Sequence, residues 1–352
     1  MFGRITTRAA LIAALLGWAV AAGQGIAVAA DPGTTVTGTV GSGVQEHSYR
    51  VYIPSTYRPG RAAPLVVMTH GCQTTAEQQQ RANLYDAVAE RERFLVLYPD
   101  VSPIEADVQP GPLRNCWQFP LPTSWLRGVG DPAAIAAMTK AVMTDLRVDP
   151  ERVYMVGMSA GGFMTSIMAA TYPDLFAAVA INAGGAYGDG TCLGVPAGLP
   201  VTLSAQLARW QMGGRARVVP RLAMGGDADR GVPPGCVDKA LDQGLRTNNL
   251  VLGRSQTGPV SLKPASTRDV DGAEPDGYSS TVTTYLDPAG CVAAERWLIH
   301  GMDHFWPGGS TDPELANFTD PNGPNGAEVT WEFLSRYTKS GTAPPCTEAT
   351  HP

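Results

Sequence analysis

The sequence predicts an α/β protein, one domain with a mostly parallel central sheet and helices on both faces. Three observations predict it. Short apolar runs of strand character alternate with helix-forming segments from residue 47 to residue 337. A glycine-rich turn at residues 157–162 joins one such apolar run directly to a helical one. No internal repeat or Ser/Thr-rich linker divides the chain. In order, residues 47–53 read as an early strand and 65–69 as a core strand, followed by a polar helix over 75–91. Residues 94–98 form a strand ended by Pro99, and 133–146 an amphipathic helix. The apolar run 153–156 leads into the turn, and 163–170 is helical after it. A strand at 176–181, a helix at 203–212, a strand at 218–224 and a helix at 233–246 follow. A strand pair, 281–286 and 293–299, and a helix at 327–337 complete the pattern. Residues 102–130 and 253–277 show no clear periodicity.

The turn reads Gly157-Met158-Ser159-Ala160-Gly161-Gly162. A serine between strand and helix sits in strained backbone with its hydroxyl clear of the sheet, and small residues two positions either side make room for the turn. The helix that follows directs its N-terminal N–H groups and positive dipole end at the reaction centre. This is the nucleophile elbow of an α/β-hydrolase fold.

A serine hydroxyl needs a base. In this fold the acid and then the histidine follow the serine along the chain, which leaves His300, His304 and His351, and sets aside His47 and His70. His351 lies in the tail. His300 closes an apolar strand run and reads as a packed strand-end residue. His304 falls in the loop Gly301-Met302-Asp303-His304, where a base would be presented. For the acid, Asp227 and Asp229 compete after the strand at 218–224. The frame Gly226-x-x-Asp229-x-x-Val232 favours Asp229, and Asp227 can bond backbone in the turn. The acid fixes the imidazole tautomer and stabilises the imidazolium. Two backbone N–H groups are expected to form an oxyanion hole, that of Ala160 and that of Cys72 in His70-Gly71-Cys72. Trp117, Trp306 and Met158 are the expected substrate-binding residues.

Arg4 and Arg8, the apolar stretch at residues 9–22 and Ala27-Val28-Ala29-Ala30 read as a secretory signal peptide over residues 1–30. The catalytic domain then covers 31–339, and residues 340–352 form a tail. Six cysteines, Cys72, Cys116, Cys192, Cys236, Cys291 and Cys346, suit disulfides in an exported protein. The expected pairs are Cys72–Cys116, Cys192–Cys236 and Cys291–Cys346, the last tethering the tail. No pair is spaced like a zinc knuckle, so no metal is expected. The net charge of −6 and the absence of basic runs argue against a nucleic-acid partner, and no nucleotide-binding motif implies a cofactor. A monomer without a membrane span after signal cleavage is expected.

His70-Gly71-Cys72-Gln73, Asn115-Cys116-Trp117, Arg127-Gly128-Val129-Gly130-Asp131, the elbow, Tyr172-Pro173-Asp174-Leu175-Phe176 and Gly301-x-x-His304-x-Trp306-Pro307-Gly308-Gly309 stand together in this order. With them the chain resembles the secreted polyhydroxybutyrate-depolymerase-like esterases, a group that includes feruloyl and acetylxylan esterases. The resemblance implies Ser159, Asp229 and His304 as triad, Cys72 and Ala160 as oxyanion donors, and a Cys72–Cys116 bridge. It implies hydrolysis of an ester, either short-chain hydroxyalkanoates and their polymers or feruloyl and acetyl groups on plant polysaccharide. Gln118-Phe119-Pro120-Leu121 stands where the family often has a second aromatic. Outside this class, a non-catalytic surface or carbohydrate-binding protein and a serine peptidase are the rival readings.

Overall fold

The structure, a computed structural model, describes residues 33–103, 111–190, 199–253, 255–273 and 276–342. Among these residues the strands are β1 (Thr34–Val40), β2 (His47–Ile53), β3 (Ala63–Thr69), β4 (Leu95–Pro99), β5 (Val148–Met158), β6 (Ala178–Asn182), β7 (Arg221–Gly226), β8 (Ser266–Val270), β9 (Ser280–Leu286) and β10 (Val292–Ile299). They form a 10-stranded sheet in the order β1-β2-β4-β3-β5-β6-β7-β10-β9-β8. From β4 through β10 neighbouring strands run parallel, and antiparallel pairs close both edges.

Burial follows position in the sheet. β3, β4, β6 and β7 are buried along their whole length, as parallel strands covered on both faces must be. β2 alternates between buried and more exposed residues, and the edge strand β8 is largely exposed. The helices are α1 (Ala76–Asn83), α2 (Tyr85–Glu92), α3 (Gly130–Asp145), α4 (Ala160–Thr171), α5 (Val201–Met212), α6 (Pro234–Gly253) and α7 (Gly326–Leu334). Successive β3 side chains point to opposite faces. Leu65 and Val67 join a core with Ile135 and Met138 of α3 and Ile167 of α4. Val66 and Met68 join a second core with Tyr85 and Val88 of α2 and Phe333 of α7. The fold is the expected α/β-hydrolase arrangement, a mostly parallel sheet with helices on both faces.

Three local expectations are corrected. The helix expected over 75–91 is two helices, broken at Leu84, which is left-handed at φ +58°. Asn83 Oδ1 accepts the Tyr85 N–H at 2.9 Å and starts the second helix, which turns Tyr85 into the core. β1 and β8 were not expected. Both lie at sheet edges, where no continuous apolar run is needed. Gly38 of β1 makes room for the Tyr49 ring, since a Cβ there would lie 2.5 Å from its oxygen. The last helix stops at Leu334, and Tyr337 enters a short strand. The leader over 1–30, Cys192, Cys346, His351 and the tail from residue 343 lie outside the described residues. No helix among the described residues is long and apolar enough to cross a membrane.

Arg221, at the start of β7, is 1% exposed beneath α6. Its guanidinium donates to the Ala240 carbonyl at 3.1 Å, and burial holds its pKa down to about 10. Gly244 leaves the space it occupies: a Cβ there would lie 1.6 Å from the guanidinium carbon. Gly244→Ala is therefore expected to destabilise the fold by about 1–3 kcal/mol through overpacking. Adding Arg221→Met should recover most of that loss in urea denaturation. Equal losses in the single and double variants would place the cost elsewhere in α6.

Candidate active site

The site is built at the C-terminal ends of β3, β5, β7 and β10. Ser159 follows β5 at φ +55°, ψ −119°, a conformation that non-glycine residues rarely hold. The flanking glycines permit it. A Cβ on Gly157 would lie 2.1 Å from the Gly161 carbonyl oxygen, and one on Gly161 would lie 2.3 Å from that of Thr69. The Ser159 N–H donates to Asn182 O at 3.0 Å, which ties the turn to the end of β6.

His304 and Asp229 reach Ser159 from the loops after β10 and β7. His304 Nε2 lies 2.9 Å from Ser159 Oγ, and His304 Nδ1 lies 2.8 Å from Asp229 Oδ2. The Asp229 side chain is buried, whereas that of His304 is 27% exposed. A buried carboxylate at Nδ1 holds the ring proton there and leaves the Nε2 lone pair for the serine hydroxyl. Asp229 Oδ1 accepts the Gly231 and Val232 N–H groups at 2.8 and 2.7 Å, which explains the sequence frame ending at Val232. Gly231 also lets the ring approach, since a Cβ there would lie 3.0 Å from His304 Cγ.

Asp227 and His300 form a separate pair. Asp227 Oδ1 accepts the Gly301 N–H at 2.7 Å, and Oδ2 lies 2.9 Å from His300 Nδ1. His300 Nε2 lies 2.9 Å from Thr281 Oγ1, so this histidine spans β9 and the acid loop without meeting Ser159. The loops are clasped in the other direction too. Asp303 Oδ1 accepts the N–H groups of Arg230 and His304 at 3.0 and 2.9 Å.

The oxyanion side is set by one carbonyl. Gly71 O accepts from His70 Nδ1 at 2.7 Å and from Thr74 Oγ1 at 2.8 Å. In a trans peptide the N–H opposes the C=O, so these bonds turn the Cys72 N–H the other way. Neither that N–H nor the N–H of Ala160 has an acceptor among the described residues. Gly71 itself faces the serine, since a Cβ on it would lie 3.2 Å from Ser159 Cβ. His70 is fully buried, with Nε2 3.1 Å from Asp100 Oδ1, in pairing range but not aligned as a hydrogen bond. A Cys72–Cys116 disulfide ties the loop to the segment carrying Trp117. Cys236 and Cys291 are also disulfide-bonded, while Cys192 and Cys346, expected as their partners, lie outside the described residues.

Two of the expected substrate-binding residues, Trp117 and Trp306, are corrected. Trp117 and Trp306 are 1% and 0% exposed, and Met158 is 5% exposed. Trp117 donates from Nε1 to His70 O at 3.1 Å and packs on the His70 ring, so it supports the oxyanion loop. Trp306 packs against Tyr85 in the core. Aromatic side chains near a motif gave no signal of this burial. Sequence reasoning also missed Asn182, Asp303 and Asp100, polar residues at strand ends or in loops whose partners are distant in sequence.

The clasp has a pH signature. Burial opposes ionisation of Asp227, but the Gly301 N–H and His300 outweigh it and hold the carboxyl below its ordinary value. The Arg230 N–H, and then that of His304, do the same for Asp303. A depressed carboxylate pKa contributes stability above the unfolded value, and that contribution is lost as pH falls through the folded value. Asp227→Asn and Asp303→Asn should each lower Tm at neutral pH, and the deficit should shrink below about pH 4. A deficit independent of pH in thermal scans would show that charge is not the clasp.

Residues 47–195 match the family described as esterase PHB depolymerase. Poly(3-hydroxyalkanoate) depolymerase C of Paucimonas lemoignei is 32% identical over 254 residues, 70% of this chain and 55% of that protein. The chain thus spans little more than half of that depolymerase. Feruloyl esterase B of Neurospora crassa is 28% identical over 253 residues, 66% of this chain and 82% of that protein. In fold, the chain is similar to the acetyl xylan esterase from Aspergillus awamori, with a TM-score of 0.60 at 19% identity, over 85% of this chain and 99% of that one. On an α/β-hydrolase fold, this chain is thus similar over residues 47–195 to the polyhydroxybutyrate-depolymerase-like esterases.

Proposed function

We propose that this chain is a secreted serine esterase that hydrolyses carboxylic esters through an acyl-enzyme. The observation that carries the reading is the hydrogen-bonded relay from Asp229 through His304 to Ser159, set beside two N–H groups without acceptors among the described residues. Ser159 Oγ attacks the ester carbonyl while His304 Nε2 takes its proton. Asp229 stabilises the imidazolium without becoming protonated. The tetrahedral oxyanion is held by the Cys72 and Ala160 N–H groups, each worth about 3–4 kcal/mol in such sites. The alcohol leaves with the proton from His304, and a water activated by the same ring then releases the acid and frees Ser159.

Short-chain hydroxyalkanoate esters, their oligomers or a polyester are the preferred substrates. The match to the depolymerase family supports this, as do the exposed Leu113, Leu121, Leu126 and Val129 in the aperiodic stretch beside the oxyanion loop. Similarity to a feruloyl esterase supports a second reading, release of feruloyl or acetyl groups from plant polysaccharide. Export is supported by the signal-like sequence of residues 1–30 and by the disulfide bonds.

Ser159→Ala should abolish turnover of p-nitrophenyl butyrate, and Asp229→Asn should lower kcat by roughly 10⁴-fold with the fold intact by circular dichroism. Near-normal kcat in the Asp229 variant would remove that residue from the mechanism. A serine-dependent preference for hydroxybutyrate oligomers over methyl ferulate and acetylated xylan would support the first substrate class. The reverse preference would move the enzyme to the second.

A further inference from the structure

Beside the oxyanion loop lies an open polar recess of about 880 Å³, lined by Gln73, Thr75, Gln78, Gly111, Arg114 and Asn115. We propose that it is a subsite for a carboxylate carried by the ester substrate, with Arg114 as its charge partner. The inference rests on the serine-esterase reading and narrows its substrate class.

Among the described residues Arg114 is the one charged residue in the lining, in a chain whose net charge is −6. It is exposed, and no carboxylate among the described residues pairs with it. Thr75 Oγ1 accepts the Gln78 N–H and Gln78 Oε1 accepts the Thr75 N–H in the capping box of α1. That box uses only their oxygens as acceptors, which leaves the guanidinium of Arg114 and the amide N–H groups of Gln73, Gln78 and Asn115 for a ligand. A guanidinium among amide donors suits a carboxylate.

The recess adjoins the loop that faces Ser159. Gln73 and Asn115 are both left-handed, at φ +64° and +50°, and flank the Cys72–Cys116 disulfide. The Gln73 N–H donates to Arg114 O at 2.7 Å, so the arginine's backbone is fixed to the oxyanion loop. Strained residues persist where surrounding structure over-determines them, and they cluster at ligand sites. Gly71 abuts Ser159, and the Cα of Gln73 lies no more than about 8 Å farther along the chain. A short hydroxyalkanoate oligomer carries a free carboxyl end within a few ester units of the bond cleaved, the group this recess is proposed to take. A neutral sugar acetate offers no such group.

The test compares a hydroxybutyrate trimer as free acid with its methyl ester, for the wild type, Arg114→Ala, Arg114→Lys and Arg114→Glu. The wild type should favour the acid through KM. Arg114→Ala should raise the KM for the acid about tenfold and bring the two substrates level, with the kcat of the acid held, as expected for loss of a charge-assisted contact. Arg114→Lys should restore part of the preference, and Arg114→Glu should invert it. An unchanged acid-to-ester ratio across the four proteins would overturn the proposal, as would equal KM values in the wild type. Failure of the underlying reading is distinct: Ser159→Ala would then still turn over both trimers.

Discussion

Backbone pressed against backbone holds the site together. The Gly161 carbonyl sits where a Gly157 side chain would be, and the Thr69 carbonyl sits where a Gly161 side chain would be. At this junction β3, β5 and α4 approach closer than any side chain allows. The Thr69 hydroxyl lies between them, 3.1 Å from Val156 O and 3.2 Å from Gly161 O. These contacts compress the turn enough to hold Ser159 at positive φ, a strain of roughly 1–3 kcal/mol. The fully buried strands and α4 supply the packing that offsets it. Because the same turn starts α4, the Ala160 N–H and the Ser159 hydroxyl are fixed by one constraint.

The remaining groups come from elsewhere in the chain, and the parallel sheet brings them together. β5, β6, β7 and β10 are consecutive in the sheet, so the loops that follow them open on one edge. Proximity alone would leave His304 and Asp229 on independent loops. Reciprocal carboxylates prevent that, with Asp227 reaching from the acid loop to the base loop and Asp303 reaching back. Asn182 joins the turn to the same assembly through Phe305 O. Most of these bonds lie outside the Asp229–His304–Ser159 line, so they stiffen it without competing for its protons.

How much of this was legible follows from how local each requirement is. The elbow writes its backbone geometry into glycines a fixed distance from Ser159, so the sequence carries it plainly. Asp229 was favoured for the frame to Val232, and the structure shows a physical basis: its carboxylate caps the turn it begins. His304 and His300 could be separated by loop position, yet both turn out to have carboxylate partners. The fate of Trp117 and Trp306 was not legible, because burial depends on what packs above them and a motif does not encode that. The edge strands β1 and β8 escaped for a related reason, since an edge needs no apolar pattern and has a partner on one side.

The Ser159, His304 and Asp229 geometry is set by glycines, buried strand ends and the loop clasp, so it can stay constant while substrates change. Residues 111–130 are different. They contribute exposed leucines, Arg114 and one half of a disulfide to the rim, and their sequence sits in an aperiodic stretch free of sheet register. The disulfide alone would transmit every change in that segment to the Cys72 N–H. The Gly71 carbonyl argues otherwise, because His70 and Thr74 orient the peptide from the β3 side. The bridge therefore has a different physical role. It closes a sequence separation of 44 residues, which restricts the unfolded chain by about 4 kcal/mol on chain-entropy grounds. Orientation of the Cys72 N–H and attachment of residues 111–130 are carried by separate bonds, which leaves that segment free to change without turning the N–H.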